Sequence, residues 1–163
     1  MAVTKDQMLA AVKAQRDAFT AELPVPAAMR KDRLKRSVAM LLDHGQAFVD
    51  AMSEDFGHRS AEQSWITDIT ASIRTLKHSS KSVDKWMRPE RRKLDFPLGL
   101  LGAKGIIEFQ PKGVVGIISP WNFPVQLTMG PIAGAFAAGN RIMVKSSEYT
   151  PTVAALFEEV GPK

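Results

Sequence analysis

Two patterns of hydrophobic positions divide this chain at about residue 88. From Thr4 to Met87, apolar residues recur near the helical period of about 3.6 residues, which predicts amphipathic helices. The first helix is predicted to begin with a capping box formed by Thr4 and Gln7, and to stop at Pro24 and Pro26. We expect three such segments, each with one face packed into a hydrophobic core.

The second and third helical segments carry their own boundary signals. The second segment pauses at Gly45 and ends at Gly57, and the third opens with Ser60 and Gln63 in capping positions. The apolar stripe of the third segment is more typical of core packing than of a coiled-coil seam, because Ser80 interrupts it and the flanking charge pattern is missing. The stripe consists of Ile66, Ile69, Ile73, Leu76, Val83 and Met87.

After Pro89 the pattern changes to that of β-strands. Residues 94–96 and 106–110 are predicted as short strands on either side of a glycine-rich turn at residues 98–105, because β-favouring side chains flank it. These residues therefore predict a hairpin or an extended arm.

A strand, a helix and a second strand follow the arm. Val114–Ile118 is apolar at successive positions, which predicts a strand buried on both faces of a parallel sheet. Residues 127–138 predict a tightly packed helix ended by Gly139, residues 142–145 a second strand, and residues 150–160 a further helix. This βαβ order makes the fold class α/β.

We divide the chain into a helical segment at 1–88, an arm at 89–111 and the start of the βαβ region at 112–163. The 163 residues are 45% hydrophobic and 24% charged, which fits a globular domain. No apolar run approaches the roughly 18 residues of a membrane span, and no signal peptide is recognisable, so we expect a cytoplasmic protein with no membrane partner.

Cysteine content and net charge limit which kinds of site and partner this chain is expected to have. The chain has no cysteine, which excludes disulfides, thiolate metal sites and a cysteine nucleophile within it, and we expect no metal. The net charge of +5 is spread out except for basic clusters at 30–36 and 88–93. Both clusters are interpreted as solvated surfaces rather than phosphate sites, because they lack interleaved aromatics, so no nucleic-acid partner is expected.

Polar side chains follow both strands of the predicted βαβ unit. Because ligands collect outside the carboxyl ends of parallel strands, the turn at 120–124 and the segment at 146–148 mark one candidate site. The Asn122 amide offers two N–H donors and no titrating proton, so it suits an oxyanion stabiliser, although asparagine beside proline is also ordinary turn chemistry.

Two charged residues near the second strand have alternative interpretations. Lys145 and Glu148 fit exposed charges at a strand end, but a carboxylate in this place can also accept both ribose hydroxyls of a dinucleotide. The glycine-rich phosphate loop usual for such sites is missing from the sequence. The residues alone therefore indicate a nucleotide-binding sheet and little more.

Three motifs resemble the aldehyde dehydrogenase superfamily. They are PKGVVGIISPWNFP at 111–124, AAGN at 137–140 and VKSSE at 144–148, and the resemblance extends over all 163 residues. The stretch KLDFPLGLLGAKG at 93–105 is most similar to the branch around coniferyl aldehyde dehydrogenase. The fold that this implies is N-terminal amphipathic helices and a β arm leading into the first βαβ unit of an incomplete Rossmann-like cofactor-binding domain.

The resemblance implies oxidation of a small-molecule aldehyde, of the coniferyl type in this branch, to the carboxylic acid with NAD, or alternatively NADP. Asn122 would help to hold the oxyanion. Lys145 and Glu148 would contact the adenosine ribose, and the complete enzyme would be a homodimer. Four further residues would line the cofactor cleft: Ile118, Ser119, Pro120 and Trp121.

Two departures from the family pattern qualify these expectations. The family usually has proline where Ser146 follows Lys145, and losing that ring loosens the backbone at the ribose site by about 1 kcal/mol of entropy. The nucleophilic cysteine and the general base of the family fall outside this chain. We therefore expect an N-terminal fragment, inactive alone, whether shortened, proteolysed or from a disrupted gene; a stand-alone interaction or dimerisation module is the alternative.

Overall fold

The computed structural model describes residues 3–161, so the predicted domain limits at residues 1 and 163 lie outside the described residues. Its elements follow the order of helices, hairpin and βαβ unit that the hydrophobic pattern predicts. In chain order they are α1 Lys5–Ala21, α2 Ala27–Asp43, α3 Gly45–Phe56, α4 Ala61–Ser64, a π-helical segment Trp65–Thr70, α5 Ala71–Trp86, β1 Glu90–Arg92, β2 Gly105–Ile107, β3 Val114–Ile118, α6 Gln126–Ala137, β4 Arg141–Lys145 and α7 Pro151–Val160.

The predicted start of α1 is confirmed. The Gln7 backbone N–H donates to the Thr4 hydroxyl at 3.2 Å, and the Thr4 N–H donates to the Gln7 side chain at 2.9 Å. Reciprocal bonds of this kind satisfy donors that a helix N-terminus otherwise leaves free. The second predicted segment is two helices, α2 and α3, which meet at His44 and Gly45.

The third predicted segment contains a π-helical turn that its sequence pattern does not reveal. Ser60 caps α4 by accepting from the Gln63 N–H at 3.2 Å, as predicted. The prediction that Ile66 belongs to the core stripe is wrong, because its side chain is 68% exposed, whereas Ile69 is fully buried. The extra residue in a π turn shifts the register, so that Asp68 and Ile69 face the interior and Ile66 faces outward.

The predicted hairpin exists, but its first strand lies earlier in the chain, and its second strand is shorter than the predicted 106–110 because it ends at Ile107. β1 pairs antiparallel with β2, and Glu90 faces Ile107 in the register. The predicted strand at 94–96 is wrong, because Asp95 already belongs to the turn: its carbonyl accepts from the Leu98 N–H at 3.0 Å.

The βαβ unit is confirmed, with β3 and β4 parallel and Val114 opposite Arg141. Gly139 has a φ of +87°, and the N–H groups of Gly139 and Asn140 donate to the carbonyls of Phe136 and Ala135 at the end of α6. This is the Schellman arrangement, for which glycine is suited because it adopts positive φ without a Cβ penalty.

Burial of β3 on both faces is not found. Ile117 is buried, but Ile118 is 83% exposed because no described element covers that side of the strand end. The core lies instead between the helices and one side of the sheet. Its fully buried members include Leu34, Leu41, Phe48, Met52, Ile69, Leu76, Val83, Val125 and Ala133.

Candidate active and cofactor-binding edge

The carboxyl ends of β3 and β4 form one edge. Ile118 and Lys145 are paired in the parallel register, and the Ser119 N–H extends the ladder by donating to the Lys145 carbonyl at 2.9 Å. The turn after β3 and the loop after β4 therefore leave the sheet side by side. The structure brings together four of the predicted site residues in this way: Ile118, Ser119, Lys145 and Glu148.

Asn122 lies in the turn after β3 with its backbone fixed and its side chain exposed. Its carbonyl accepts a hydrogen bond from Nη1 of Arg59 at 2.8 Å. Within residues 3–161 its side-chain amide makes no hydrogen bond. The amide N–H groups are thus available to a substrate oxygen, as an oxyanion donor requires.

Arg59 and Asp68 hold this turn, and the sequence interpretation missed both residues. Asp68 is fully buried, and its Oδ1 accepts from the backbone N–H groups of Val125 and Gln126, each at 3.1 Å. Its Oδ2 lies 2.7 Å from Nη2 of Arg59. The sequence did contain one signal, since Asp68 lies next to Ile69 within the apolar stripe. A carboxylate buried at that position needs a partner.

A buried hydroxyl pair fixes the base of the turn. The Oγ atoms of Ser119 and Thr128 are 2.7 Å apart, and Thr128 Oγ1 also lies 2.5 Å from the Pro124 carbonyl. Because the carbonyl can only accept and a hydroxyl has one hydrogen, Thr128 donates to Pro124 and Ser119 donates to Thr128. Ser119 is buried, so its side chain supports the turn rather than facing a ligand.

Apolar side chains are exposed along the edge. Ile118, Pro120 and Trp121 face solvent, and the Trp121 ring lies 6.5 Å from the Phe56 ring in a tilted arrangement. Exposed apolar groups beside a polar turn suit the wall of a cleft for a flat ligand.

Lys145 and Glu148 form an ion pair at the end of β4. Nζ of Lys145 lies 2.5 Å from Oε2 of Glu148, and both side chains are largely exposed. The hydrogen bond from Lys145 lowers the pKa of the Glu148 carboxyl, helped by the backbone N–H of Glu148 and by the charge of Lys145. Glu148 is therefore an ionised acceptor at neutral pH, next to a cationic donor.

The N-termini of α6 and α7 are already capped by carboxylates of the chain. Asp68 caps α6, and Asp55 accepts from the N–H groups of Thr152 and Val153 in α7 at 2.9 and 3.0 Å. A negatively charged phosphate would therefore have to displace a carboxylate to reach the N–H donors at either helix N-terminus. The exposed donor and acceptor of Lys145 and Glu148 fit ribose hydroxyls instead, so this edge suits the adenosine half of a dinucleotide.

The remaining surface adds little to the site. Two open depressions of about 540 and 550 Å³ are lined by the arm and by the C-terminal ends of α5 and α6, and no predicted site residue lines either. Among residues 3–161 there is no group of three or more acidic or histidine side chains placed to hold a metal ion. None of the described helices is long and apolar enough to cross a membrane.

Comparison with known proteins gives the family. The model of the aldehyde dehydrogenase family matches residues 1–161, and this chain belongs to that family. It is 48% identical over 158 residues to coniferyl aldehyde dehydrogenase of Pseudomonas sp. strain HR199, covering 97% of this chain and 32% of that protein. It is 46% identical over 150 residues to a probable coniferyl aldehyde dehydrogenase of Caulobacter vibrioides, covering 91% of this chain and 31% of that protein.

Solved structures agree with the fold. AldH of Staphylococcus aureus in a substrate-bound state superimposes with a TM-score of 0.84 at 27% identity, over 98% of this chain and 33% of that chain. An NAD-dependent benzaldehyde dehydrogenase of Corynebacterium glutamicum has a TM-score of 0.78 at 28% identity, over 96% of this chain and 34% of that chain. The chain thus spans about a third of the length of the relatives it matches.

Proposed function

We propose that the protein to which this chain belongs oxidises an aldehyde to the carboxylic acid with a nicotinamide cofactor, and that its substrates are aromatic aldehydes of the coniferyl type. The family membership supports the reaction class. The names of the two relatives at 48% and 46% identity support the substrate class.

The observation that carries the proposal is the arrangement at Asn122. Its backbone is anchored through Arg59 at the carboxyl edge of β3, while its side-chain amide is free to donate. When a nucleophile adds to an aldehyde carbon, the carbonyl oxygen becomes negatively charged. A fixed neutral donor stabilises that charge without giving up a proton, so Asn122 is proposed to bind this oxygen.

The bound nicotinamide would accept the hydride that leaves the aldehyde carbon, and water would supply the second oxygen of the acid. Members of this family use a cysteine nucleophile, and this chain has no cysteine, so we propose that the nucleophile is supplied by residues beyond it. The role proposed for the chain is therefore to stabilise the oxyanion and to bind the cofactor's adenosine end.

The proposed cofactor contacts lie along the same edge. Glu148 would accept from ribose hydroxyls and Lys145 would donate to them, while the exposed Ile118, Pro120 and Trp121 would form the cleft wall. Ser119 contributes by supporting the turn from below through Thr128. We propose NAD as the preferred cofactor, because the Glu148 charge repels the additional phosphate of NADP.

The arm is a second candidate for function as an interaction surface. Phe96, Leu100 and Leu101 expose most of their side chains at its tip. An apolar tip of this kind supports self-association of the protein. A homodimer and a cytoplasmic location, both expected from the sequence, stay predictions.

The test is turnover by the full-length protein with coniferyl aldehyde and NAD or NADP. The proposal expects reduced nicotinamide and the carboxylic acid to form in equal amounts, and the 163-residue chain alone to form neither. Failure of the folded full-length protein to oxidise a panel of aromatic and aliphatic aldehydes would contradict it. Turnover by the isolated chain would contradict the assignment of the nucleophile to residues outside it.

A further inference from the structure

The two oxygens of Asp68 have separate tasks. Oδ1 accepts from the N–H groups of Val125 and Gln126, and so caps α6, whose own N-cap residue makes no side-chain bond. Oδ2 pairs with Arg59 at 2.7 Å. A helix cap alone needs only one acceptor atom, so the second oxygen connects the cap to another part of the structure.

Arg59 carries that connection to the turn. Its Nη2 binds Asp68, and its Nη1 donates to the Asn122 carbonyl at 2.8 Å. Its guanidinium carbon also lies 5.1 Å from the Phe56 ring centre and 5.2 Å from that of Phe123, the neighbour of Asn122. The Arg59 side chain is 8% exposed and the Asp68 side chain is fully buried, so water competes little for the bond between these two residues.

The turn is therefore anchored on both sides of Asn122. Ser119 is bound to β4 before it, and Val125 is bound to Asp68 after it. Arg59 holds the intervening carbonyl, so the orientation of the Asn122 peptide is set by side chains that are remote from it in sequence. The π-helical segment makes this possible by directing Asp68 into the interior.

We propose that Arg59 and Asp68 form a positioning pair that holds the Asn122 amide in the orientation needed to stabilise the oxyanion. The proposal deepens the proposed function and rests on it. Neither residue needs to touch the substrate. Their effect is transmitted through the Asn122 carbonyl, and misplacement of a stabilising donor by about 1 Å can cost about 100-fold in rate.

A purely structural role for the pair makes a different prediction. Asp55 caps α7 with both carboxylate oxygens, much as Asp68 caps α6, but is not hydrogen-bonded to the turn. If Asp68 only capped α6, substitutions at Asp68 and at Asp55 would have the same effects. Each would lower the stability of the protein and leave kcat unchanged. Asp55→Asn is therefore the matched control.

The experiment uses the full-length enzyme and the variants Arg59→Lys, Asp68→Asn and Asp55→Asn. Lysine keeps the charge but has one nitrogen, so it cannot bridge Asp68 and the Asn122 carbonyl as the guanidinium fork does. Asparagine at 68 can still cap α6 through its oxygen while its NH2 group faces Arg59. We expect kcat to fall about 10- to 100-fold in both, with Kd for NAD within about twofold.

Two controls separate positioning from loss of folding. Asp55→Asn should lower the Tm but keep kcat at saturating cofactor within about threefold. In an Asn122→Ala background, Arg59→Lys should lower kcat by less than about twofold, because the donor that it positions is already gone. Tm values measured for every variant show whether the folded state persists at the assay temperature.

The outcomes distinguish the two proposals. If Asn122→Ala leaves kcat unchanged, Asn122 is not the oxyanion donor and the positioning role falls with it. If Asn122→Ala lowers kcat but Arg59→Lys and Asp68→Asn do not, the proposed function stands and the positioning pair is rejected. Full additivity of Arg59→Lys and Asn122→Ala would also reject it.

Discussion

Asn140 and Gly113 join the starts of the two parallel strands. The Gly113 N–H donates to Asn140 Oδ1 at 3.0 Å, and the Lys112 N–H donates to the same oxygen at 2.7 Å. Asn140 and Gly113 are buried, so removal of the side chain leaves the Gly113 N–H without a partner, whereas the Lys112 N–H is only partly buried. One amide oxygen thus fixes where β3 begins relative to β4, and with it the position of the edge at their carboxyl ends.

Asn140→Ala is expected to lower the free energy of unfolding of the full-length protein by about 1–3 kcal/mol, because it leaves the buried Gly113 N–H unpaired and removes the acceptor of the partly buried Lys112 N–H. Asn140→Asp keeps an acceptor oxygen in place and should lose clearly less. Chemical denaturation of both variants checks this. Equal losses would show that the two bonds do not carry the effect.

Gly139→Ala is expected to destabilise the protein by about 1–3 kcal/mol. The φ of +87° disfavours any side chain, and an added Cβ would lie 2.8 Å from Cζ of Arg30. Arg30 donates from Nη1 to the Ala137 carbonyl at 3.2 Å, so it cannot move away without loss.

Gly134→Ala is the matched control for this change. It lies within α6, the helix that Gly139 ends, and has ordinary helical φ, and an added Cβ meets nothing within 4 Å in this chain. Alanine there should stabilise the protein by up to about 1 kcal/mol. Thermal unfolding of both variants tests the pair, and a neutral Gly139→Ala would contradict the packing seen at Arg30.

Glu22 should make the free energy of unfolding depend on pH in the acidic range. Burial raises the pKa of its carboxyl, but hydrogen bonds and charge from Arg141 and Arg33, each 2.5 Å away, outweigh this and lower the pKa overall. A pKa lower in the folded than in the unfolded state means that the stabilisation is complete above the unfolded pKa. It is lost as the pH falls through the folded pKa.

Glu22→Gln should therefore lower the free energy of unfolding at neutral pH by about 1 kcal/mol, a value reduced by solvent screening, and flatten its decline at acidic pH. Glu54→Gln, an exposed change on α3, is the control. The measurement is urea unfolding across a pH series. A decline as steep as that of the unmodified protein would rule out Glu22 as its source.

Cofactor choice is predicted to depend on Glu148. Replacing its charge by Glu148→Gln should lower the ratio of kcat/KM for NAD to that for NADP by about 10-fold, because repulsion of the additional phosphate is removed. Glu159→Gln makes the same charge change on α7, away from the edge, and should leave the ratio unaltered. A wild-type preference for NADP would contradict the role of Glu148.

Local signals predicted much of the fold. The Thr4 capping box, Gly139 after α6 and the apolar run Val114–Ile118 each depend on neighbouring residues, and each lies where the sequence placed it. The strand at 94–96 failed because alternative turn bonds at Asp95 compete with pairing. The exposure of Ile66 was not predictable, since a π turn has no clear signal in the hydrophobic period.

The candidate site was predicted only in part. Asn122, Lys145 and Glu148 could be placed at one edge, because parallel strands end together. Arg59 lies 63 residues before Asn122 in sequence, and their contact depends on how the helices pack against the turn. Periodicity carries no information on such long-range pairing, so the residues that hold the turn emerged only from the structure.

The most direct test of the proposed role of Asn122 is Asn122→Ala in the full-length protein, measured by steady-state oxidation of coniferyl aldehyde together with cofactor binding. Loss of one oxyanion donor should lower kcat by about 100- to 1,000-fold, while Kd for NAD and the Tm change little. An unchanged kcat in a folded variant that binds NAD normally would contradict the role of Asn122 as an oxyanion donor, and would show that Asn122 only forms the turn.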